Sequence, residues 1–156
     1  MYDSHSGDLF LALSVGVNDV NSAARLLYVG DYVGSVDAIA LKRALGAAQV
    51  SNRRGDVTGV YCYSETSFIE VLEGAPQEVE AAVERCLRNG ISRQLRLIQR
   101  DTVAHRQFDG WLAMPIARAE LSDLVEMCLC APALEAKQIE RMVTLLCLDT
   151  EFDSRY

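Results

Sequence analysis

The sequence has no surplus of positive charge and no apolar run long enough to cross a membrane. Its 156 residues include 15 lysines and arginines against 22 acidic residues, which gives a net charge of −7. Binding to nucleic acid or to an anionic membrane needs basic groups that replace counterions, so both kinds of partner are disfavoured. The apolar run at residues 9–17 is too short to span a bilayer, and no basic segment precedes it as in a secretory signal. We therefore expect a cytoplasmic protein.

Residues that carry out most enzyme chemistry are also scarce. The five cysteines form no CxxC pair, and their odd number indicates reduced thiols rather than a disulfide framework or a zinc site. His105 is the only histidine beyond the first few residues, and no nucleophile-histidine set or glycine-rich phosphate loop is visible. The sequence therefore does not favour an enzyme.

What the sequence does contain is an alternation of short strands and helices. Apolar and β-branched runs predict strands at residues 26–29, 57–63, 68–72, 95–103 and 111–114, with trailing helices at 120–130 and 133–148. With two further helices between strands, the order is that of an α+β fold with a ferredoxin-like βαββαβ core and an extra strand. The strand at 68–72 is apolar on both sides and needs cover on both faces, so the two C-terminal helices are expected to cover the other sheet face.

The two inner helices are predicted from their capping residues and apolar spacing. Ser35 is a suitable cap for the first, whose apolar positions include Ile39, and a loop is predicted at residues 52–56. Pro76 is a suitable first residue for the second, and its apolar stripe extends to Leu87.

Three segments are expected along the chain: an extension at residues 1–24, the core domain at 25–117 and a helical cap at 118–156. The cap has an apolar stripe that includes Met142 and Leu146. This stripe indicates either ordinary core packing or a surface for self-association.

Glu70 breaks the apolar pattern of a predicted central strand. It shares a face with Phe68 and Leu72, where a carboxylate is costly unless it is paired or protonated. Either the strand ends early and leaves Glu70 in solvent, or Glu70 points into a ligand pocket between the sheet and the helices.

Four other polar or aromatic residues are candidates for the same pocket. Tyr28 lies in the strand expected beside that of Glu70, Asn52 follows the first helix, Arg85 lies on the second helix, and Trp111 is the only tryptophan. Singly, each has an ordinary explanation as a core aromatic, a loop residue or a surface charge. Together they can line one end of the sheet.

Three stretches of the sequence carry a more specific pattern. They are Val57-Thr58-Gly59-Val60, Phe68-Ile69-Glu70-Val71-Leu72-Glu73-Gly74 and Phe108-Asp109-Gly110-Trp111. Over residues 25–115 the chain resembles the BLUF family (blue-light sensing using flavin), whose members are flavin-binding photosensors that act alone or attached to output domains.

The resemblance implies a bound FAD and a role for four residues. Tyr28 matches the tyrosine that exchanges an electron and a proton with the excited flavin. Asn52 matches the asparagine on the polar edge of the flavin ring, and Arg85 matches an arginine that helps to hold the cofactor. Trp111 matches a tryptophan whose movement accompanies signalling.

Three further site positions carry residues that depart from the family pattern. Ser51 stands where a second polar residue, often asparagine, is usual, and Asn89 replaces an acidic residue; we include both among the cofactor-binding positions. Met114 is included among the signalling positions. It follows Trp111 by three residues instead of two, so either Ala113 takes the place of the family methionine or one residue is inserted.

The most consequential departure is Glu70, which occupies the place of the glutamine that links the tyrosine to the flavin. An ionised glutamate only accepts hydrogen bonds, whereas a neutral one donates a single bond and lacks the two-sided chemistry of the amide. Two functions therefore stay open: an FAD-binding blue-light sensor with altered or absent switching, or a flavin-free interaction or dimerisation module. In both, we expect signalling through contact with a separate protein, and a homodimer or higher oligomer is possible.

Overall fold

A computed structural model describes residues 22–131 and 133–153 of the chain. The strands in this part are β1 (Ala23–Tyr32), β2 (Thr58–Tyr63), β3 (Ser67–Gly74), β4 (Ser92–Val103) and β5 (Trp111–Pro115). The helices are α1 (Ala38–Arg54), α2 (Pro76–Arg88), α3 (Ala119–Cys130) and α4 (Ala136–Asp153). The predicted order of elements is confirmed. Most of the predicted N-terminal extension lies outside the described residues, and the three-segment division stays a prediction.

The sheet is mixed and places β3 at its centre, in the order β4-β1-β3-β2-β5. β1 and β2 flank β3 and are antiparallel to it, whereas β2 and β5 run parallel. In this register Glu70 lies opposite Tyr28 on one side and opposite Tyr61 on the other. The prediction that the strands of Tyr28 and Glu70 are neighbours is confirmed.

Each face of the sheet carries its own apolar core. Ile69 and Val71 belong to the core formed with α3 and α4, whereas Phe68 and Leu72 belong to the core formed with α1 and α2. All four side chains are buried, and each stabilises the fold by about 1.5–3 kcal/mol. The predicted ferredoxin-like α+β fold, with the C-terminal helices on the other sheet face, is therefore confirmed.

The apolar stripe of α4 is core packing. Met142 and Leu146 are fully buried against the sheet and α3. Of the two interpretations of this stripe, packing is the one that the structure confirms for these two residues.

The first helix differs from the prediction at both ends. Its N-cap is Asp37 instead of Ser35, because the Asp37 carboxylate accepts a hydrogen bond from the Ile39 amide at 3.0 Å. Ile39, which was predicted to be buried, is 63% exposed because the packing of α1 on the sheet turns this position towards solvent. The helix also continues to Arg54, so Asn52 lies in its last turn and not in a loop.

The second helix begins at Pro76 as predicted, but its apolar stripe ends differently. Val79 and Val83 are buried and Cys86 is half-buried, whereas Leu87 is 42% exposed. Successive residues of a helix are separated by about 100°, so once Cys86 faces the sheet, Leu87 is turned towards solvent.

Among the described residues, none of the helices has the length and apolar character needed to cross a bilayer.

Candidate functional site

Glu70 is the buried centre of the candidate site. The middle of β3 holds its side chain on the sheet face covered by α1 and α2, and only 4% of the residue is exposed. The Tyr28 hydroxyl donates a hydrogen bond to Glu70 Oε2, and the Trp111 indole Nε1 donates to Oε1 at 2.8 Å. Glu70 therefore joins an aromatic residue of β1 to one of β5.

The surroundings of Glu70 disfavour its charged form. Burial raises the pKa of its carboxyl group from 4.5 to about 8, while the hydrogen bond from Trp111 and the charge of Arg85 act in the opposite direction. Both hydrogen-bond donors are uncharged side chains, so neither supplies a compensating charge. At neutral pH the protonated acid is therefore the main form.

A cavity of about 150 Å³ opens beside Glu70, between α1, α2 and the sheet. Six of the predicted site residues line it: Ser51, Asn52, Glu70, Arg85, Asn89 and Trp111. The remaining wall is mostly apolar and includes three alanines of α1, which are Ala44, Ala47 and Ala48. The structure thus brings together residues that are far apart in the sequence, and Tyr28 joins them through its hydrogen bond to Glu70.

A hydrogen bond crosses this cavity from α2 to α1. Arg85 Nη2 donates to Asn52 Oδ1 at 3.0 Å, with Asn52 buried and Arg85 exposed. Because Asn52 lies in the last turn of α1, its amide is held by the helix rather than by a mobile loop. The site therefore presents an amide and a guanidinium at one end and a carboxyl group on the sheet.

Tyr61 and Cys86 also line the cavity, although the sequence analysis did not select either as a site residue. Tyr61 pairs with Glu70 across β2 and β3, stacks on Phe68 with ring centroids 5.0 Å apart, and shares a hydrogen bond of 3.1 Å with the Tyr32 hydroxyl. Burial raises the pKa of Tyr61 and raises that of the Cys86 thiol to about 12. The period-2 alternation of β2 could have placed Tyr61 on this face once β2 was paired with β3.

Met114 is the one predicted site residue that lies on the opposite face of the sheet. The β2–β5 register runs without a bulge from Trp111 to Pro115, so Ala113 and not Met114 shares the face of Trp111. Met114 packs in the core formed with α3 and α4.

Comparison with known proteins decides the family. The sequence model of the BLUF family, described as sensors of blue light using FAD, matches residues 24–114, which is more than half of the chain. The chain belongs to the BLUF family. No curated protein matches its sequence.

Solved BLUF proteins share the fold at low sequence identity. BlrB in its dark state is 18% identical with a TM-score of 0.67, and the match covers 83% of this chain and 98% of BlrB. BlsA in its photo-activated state is 15% identical with a TM-score of 0.66, covering 80% of this chain and 94% of BlsA.

Other BLUF matches are parts of larger proteins. Klebsiella pneumoniae BlrP1 is 18% identical with a TM-score of 0.60, and the match covers 82% of this chain. A bacterial light-regulated adenylyl cyclase is 16% identical with a TM-score of 0.58, and the match covers 78% of this chain. The chain spans 34% of the length of BlrP1 and 36% of that of the cyclase.

Proposed function

We propose that this BLUF domain binds FAD in the cavity between α1 and α2 and acts as a blue-light sensor for a separate protein partner. The observation that carries the proposal is the convergence of Asn52, Glu70, Arg85 and Trp111 on one cavity, with Tyr28 hydrogen-bonded to Glu70. Family membership supports a flavin as the ligand.

The donor and acceptor groups of the cavity suit a flavin ring. The polar edge of a flavin ring has several hydrogen-bond acceptors and one N–H donor. The Asn52 amide can donate to these acceptors and accept from the N–H group. The apolar wall suits the faces of the ring, and Arg85 at the exposed end is a partner for the phosphates of the dinucleotide. Ser51 and Asn89 are proposed as further cofactor contacts because both line the cavity. When bound, the flavin supplies the absorption of blue light.

The size of the cavity sets a condition on this proposal. At about 150 Å³ it is smaller than the roughly 300–1,000 Å³ usual for cofactor sites. Binding therefore requires the bond between Arg85 and Asn52 to open and the two helices to part.

We propose that β5 transmits the signal from the site to the C-terminal helices. Trp111 connects Glu70 to the start of this strand, and the strand leads through Pro115 to α3. On the other face Met114, at the end of β5, packs against the core that includes α3 and α4. A change in the Trp111–Glu70 bond can thus reach the helical cap, where a partner protein or a second copy of the chain is proposed to bind.

The flavin-free interaction module is the second candidate, and two observations favour it. Glu70 replaces the glutamine of the family, and the cavity is small. A domain that no longer binds flavin needs its fold but not its photochemistry, so both features are compatible with such a role.

Absorption spectra of the purified chain test the proposal. They are recorded with and without added FAD, and before and after blue illumination. We expect bound flavin in the wild type and, in Glu70→Gln, a reversible red shift under light, because the amide restores a side chain that both donates and accepts. Cys86→Ala changes another residue of the cavity and serves as the matched control, with no gain of a shift. If neither the wild type nor Glu70→Gln retains FAD, the sensor proposal is rejected and the flavin-free interaction module is the remaining candidate.

A further inference from the structure

Glu70 is the one carboxylate among the described residues that line the cavity. Its side chain is buried, its hydrogen-bond donors Tyr28 and Trp111 are neutral, and the Arg85 guanidinium is bonded to Asn52. Arg85 therefore acts on Glu70 only through the field of its charge, which favours the ionised form. The charge state of Glu70 thus depends on how fully it is shielded from solvent and on the charge of Arg85 at the mouth of the cavity.

The groups that face Glu70 come from every element packed around it. They are Tyr28 of β1, Tyr61 of β2, Arg85 and Cys86 of α2, and Trp111 of β5, while α1 contributes the neutral side chains of Ser51 and Asn52. Burial raises the pKa of Tyr61, and that of Cys86 to about 12. Between pH 6 and 9, roughly, Glu70 is therefore the lining group expected to change its charge.

A ligand with a flat uncharged ring and an anionic tail disfavours the ionised form of Glu70 in two ways. A ring that fills the cavity shields Glu70 further from solvent, which disfavours a carboxylate. The anionic tail pairs with Arg85 and cancels the positive charge that favours ionisation. Binding of such a ligand stabilises the protonated acid in both ways.

We propose that Glu70 takes up a proton when the cavity fills with a ring that carries an anionic tail, so that affinity for the ligand falls as the pH rises. The inference rests on the proposed function, in which this ligand is FAD. In the BLUF pattern a glutamine occupies the position, and an amide does not titrate in this range, so the coupling is a property of the residue found here.

The coupling between proton uptake and ligand binding sets the expected pH dependence of the dissociation constant. Below about pH 7 Glu70 is already protonated and the affinity is independent of pH. Above about pH 8 the protein must first take up a proton, so the dissociation constant rises by up to about tenfold per pH unit. Glu70→Gln removes the titrating group, and its dissociation constant is expected to stay level across the same range.

Titration calorimetry with FAD tests the coupling directly. At pH 8.5 the heat of binding is measured in two buffers with different ionisation enthalpies, and the difference gives the number of protons taken up. We expect between about 0.5 and 0.8 proton for the wild type and for Glu65→Gln, the matched change of an exposed carboxylate outside the cavity, and none for Glu70→Gln. Should Glu70→Gln fail to fold, the pH dependence of the wild-type dissociation constant decides alone.

The outcomes separate the inference from the proposed function. The inference is overturned if FAD binds without proton uptake and its dissociation constant is the same from pH 6 to 9. That result would still support the proposed flavin site. No binding of FAD anywhere in that range overturns the proposed function and the inference with it.

Discussion

Tyr28 and Glu70 lie directly opposite each other on the antiparallel strands β1 and β3, and the Tyr28 hydroxyl donates a hydrogen bond to Glu70 Oε2. Both side chains are buried at the centre of the sheet. Glu70 lines the cavity and also binds Trp111, so it couples the tyrosine to β5. The protonation of one carboxyl group therefore affects two aromatic side chains on different strands.

The fluorescence of Trp111 is expected to report the charge of Glu70. Trp111 is the only tryptophan of the chain, and its indole N–H donates to Glu70 at 2.8 Å. Ionisation makes Glu70 a stronger acceptor and places a negative charge beside the indole, so the emission should change with a midpoint near pH 8. The measurement is a fluorescence titration of the flavin-free protein, with Glu70→Gln as the control. A midpoint in the wild type that persists in Glu70→Gln would assign the change to another group.

The stability of the protein is expected to carry a pH-dependent contribution from Glu70. Its pKa is about 8 when folded against an ordinary value of 4.5, so this contribution is fully present below pH 4.5. It is lost progressively as the pH rises towards 8, because over this range the unfolded chain ionises the group and the folded chain does not. The loss is on the order of 1 kcal/mol per pH unit.

Urea unfolding at pH 5, 6, 7 and 8 measures this contribution. Other groups also titrate, so the relevant quantity is the difference in free energy of unfolding between the wild type and Glu70→Gln. We expect the variant to gain stability relative to the wild type as the pH rises. A difference that is the same at all four pH values would contradict a raised pKa for Glu70.

Glu73 is expected to be a major determinant of stability. Its buried carboxylate accepts hydrogen bonds from Arg25 Nε at 2.7 Å and from the backbone amides of Gln107 and Phe108 at 2.8 and 3.2 Å. Glu73→Ala leaves the charge of Arg25 and both amides without this partner, which costs about 3–5 kcal/mol. Urea unfolding provides the measurement, with the exposed Glu65→Ala as the control, for which a change within about 0.5 kcal/mol is expected. Equal effects of the two substitutions would rule out this role of Glu73.

Two glycines are expected to respond in opposite ways to the same substitution. Gly59 has a φ of 146°, and an added Cβ would clash with the Val71 carbonyl oxygen, so Gly59→Ala should destabilise the fold by about 3 kcal/mol or more. Gly46 is exposed within α1 and an added Cβ meets nothing within 4 Å, so Gly46→Ala should stabilise the fold by about 0.5–1 kcal/mol. Thermal unfolding of the two variants shows whether each substitution raises or lowers the stability of the fold. A stabilising effect of Gly59→Ala would show that the strand can shift to accommodate the added Cβ.

Several features of this protein were determined by local sequence. The order of strands and helices follows from apolar runs and their spacing, and the start of α2 from Pro76. The two-sided apolar character of β3 predicted cover on both faces. Glu70 was selected because a carboxylate broke that pattern, and its burial confirms that it does not lie in solvent. Each of these signals is contained within one element and needs no knowledge of its neighbours.

Other features depended on contacts between distant parts of the chain. Ser35 and Asp37 are both acceptable caps, and packing of α1 on the sheet decided which residues face inward, so the exposure of Ile39 was not predicted. The pairing of β2 with β5 put Met114 on the face opposite Trp111. Tyr61 joined the site because β2 lies beside β3. Register is a relation between strands, and a shift by one residue exchanges the faces, so it was settled only when the sheet formed.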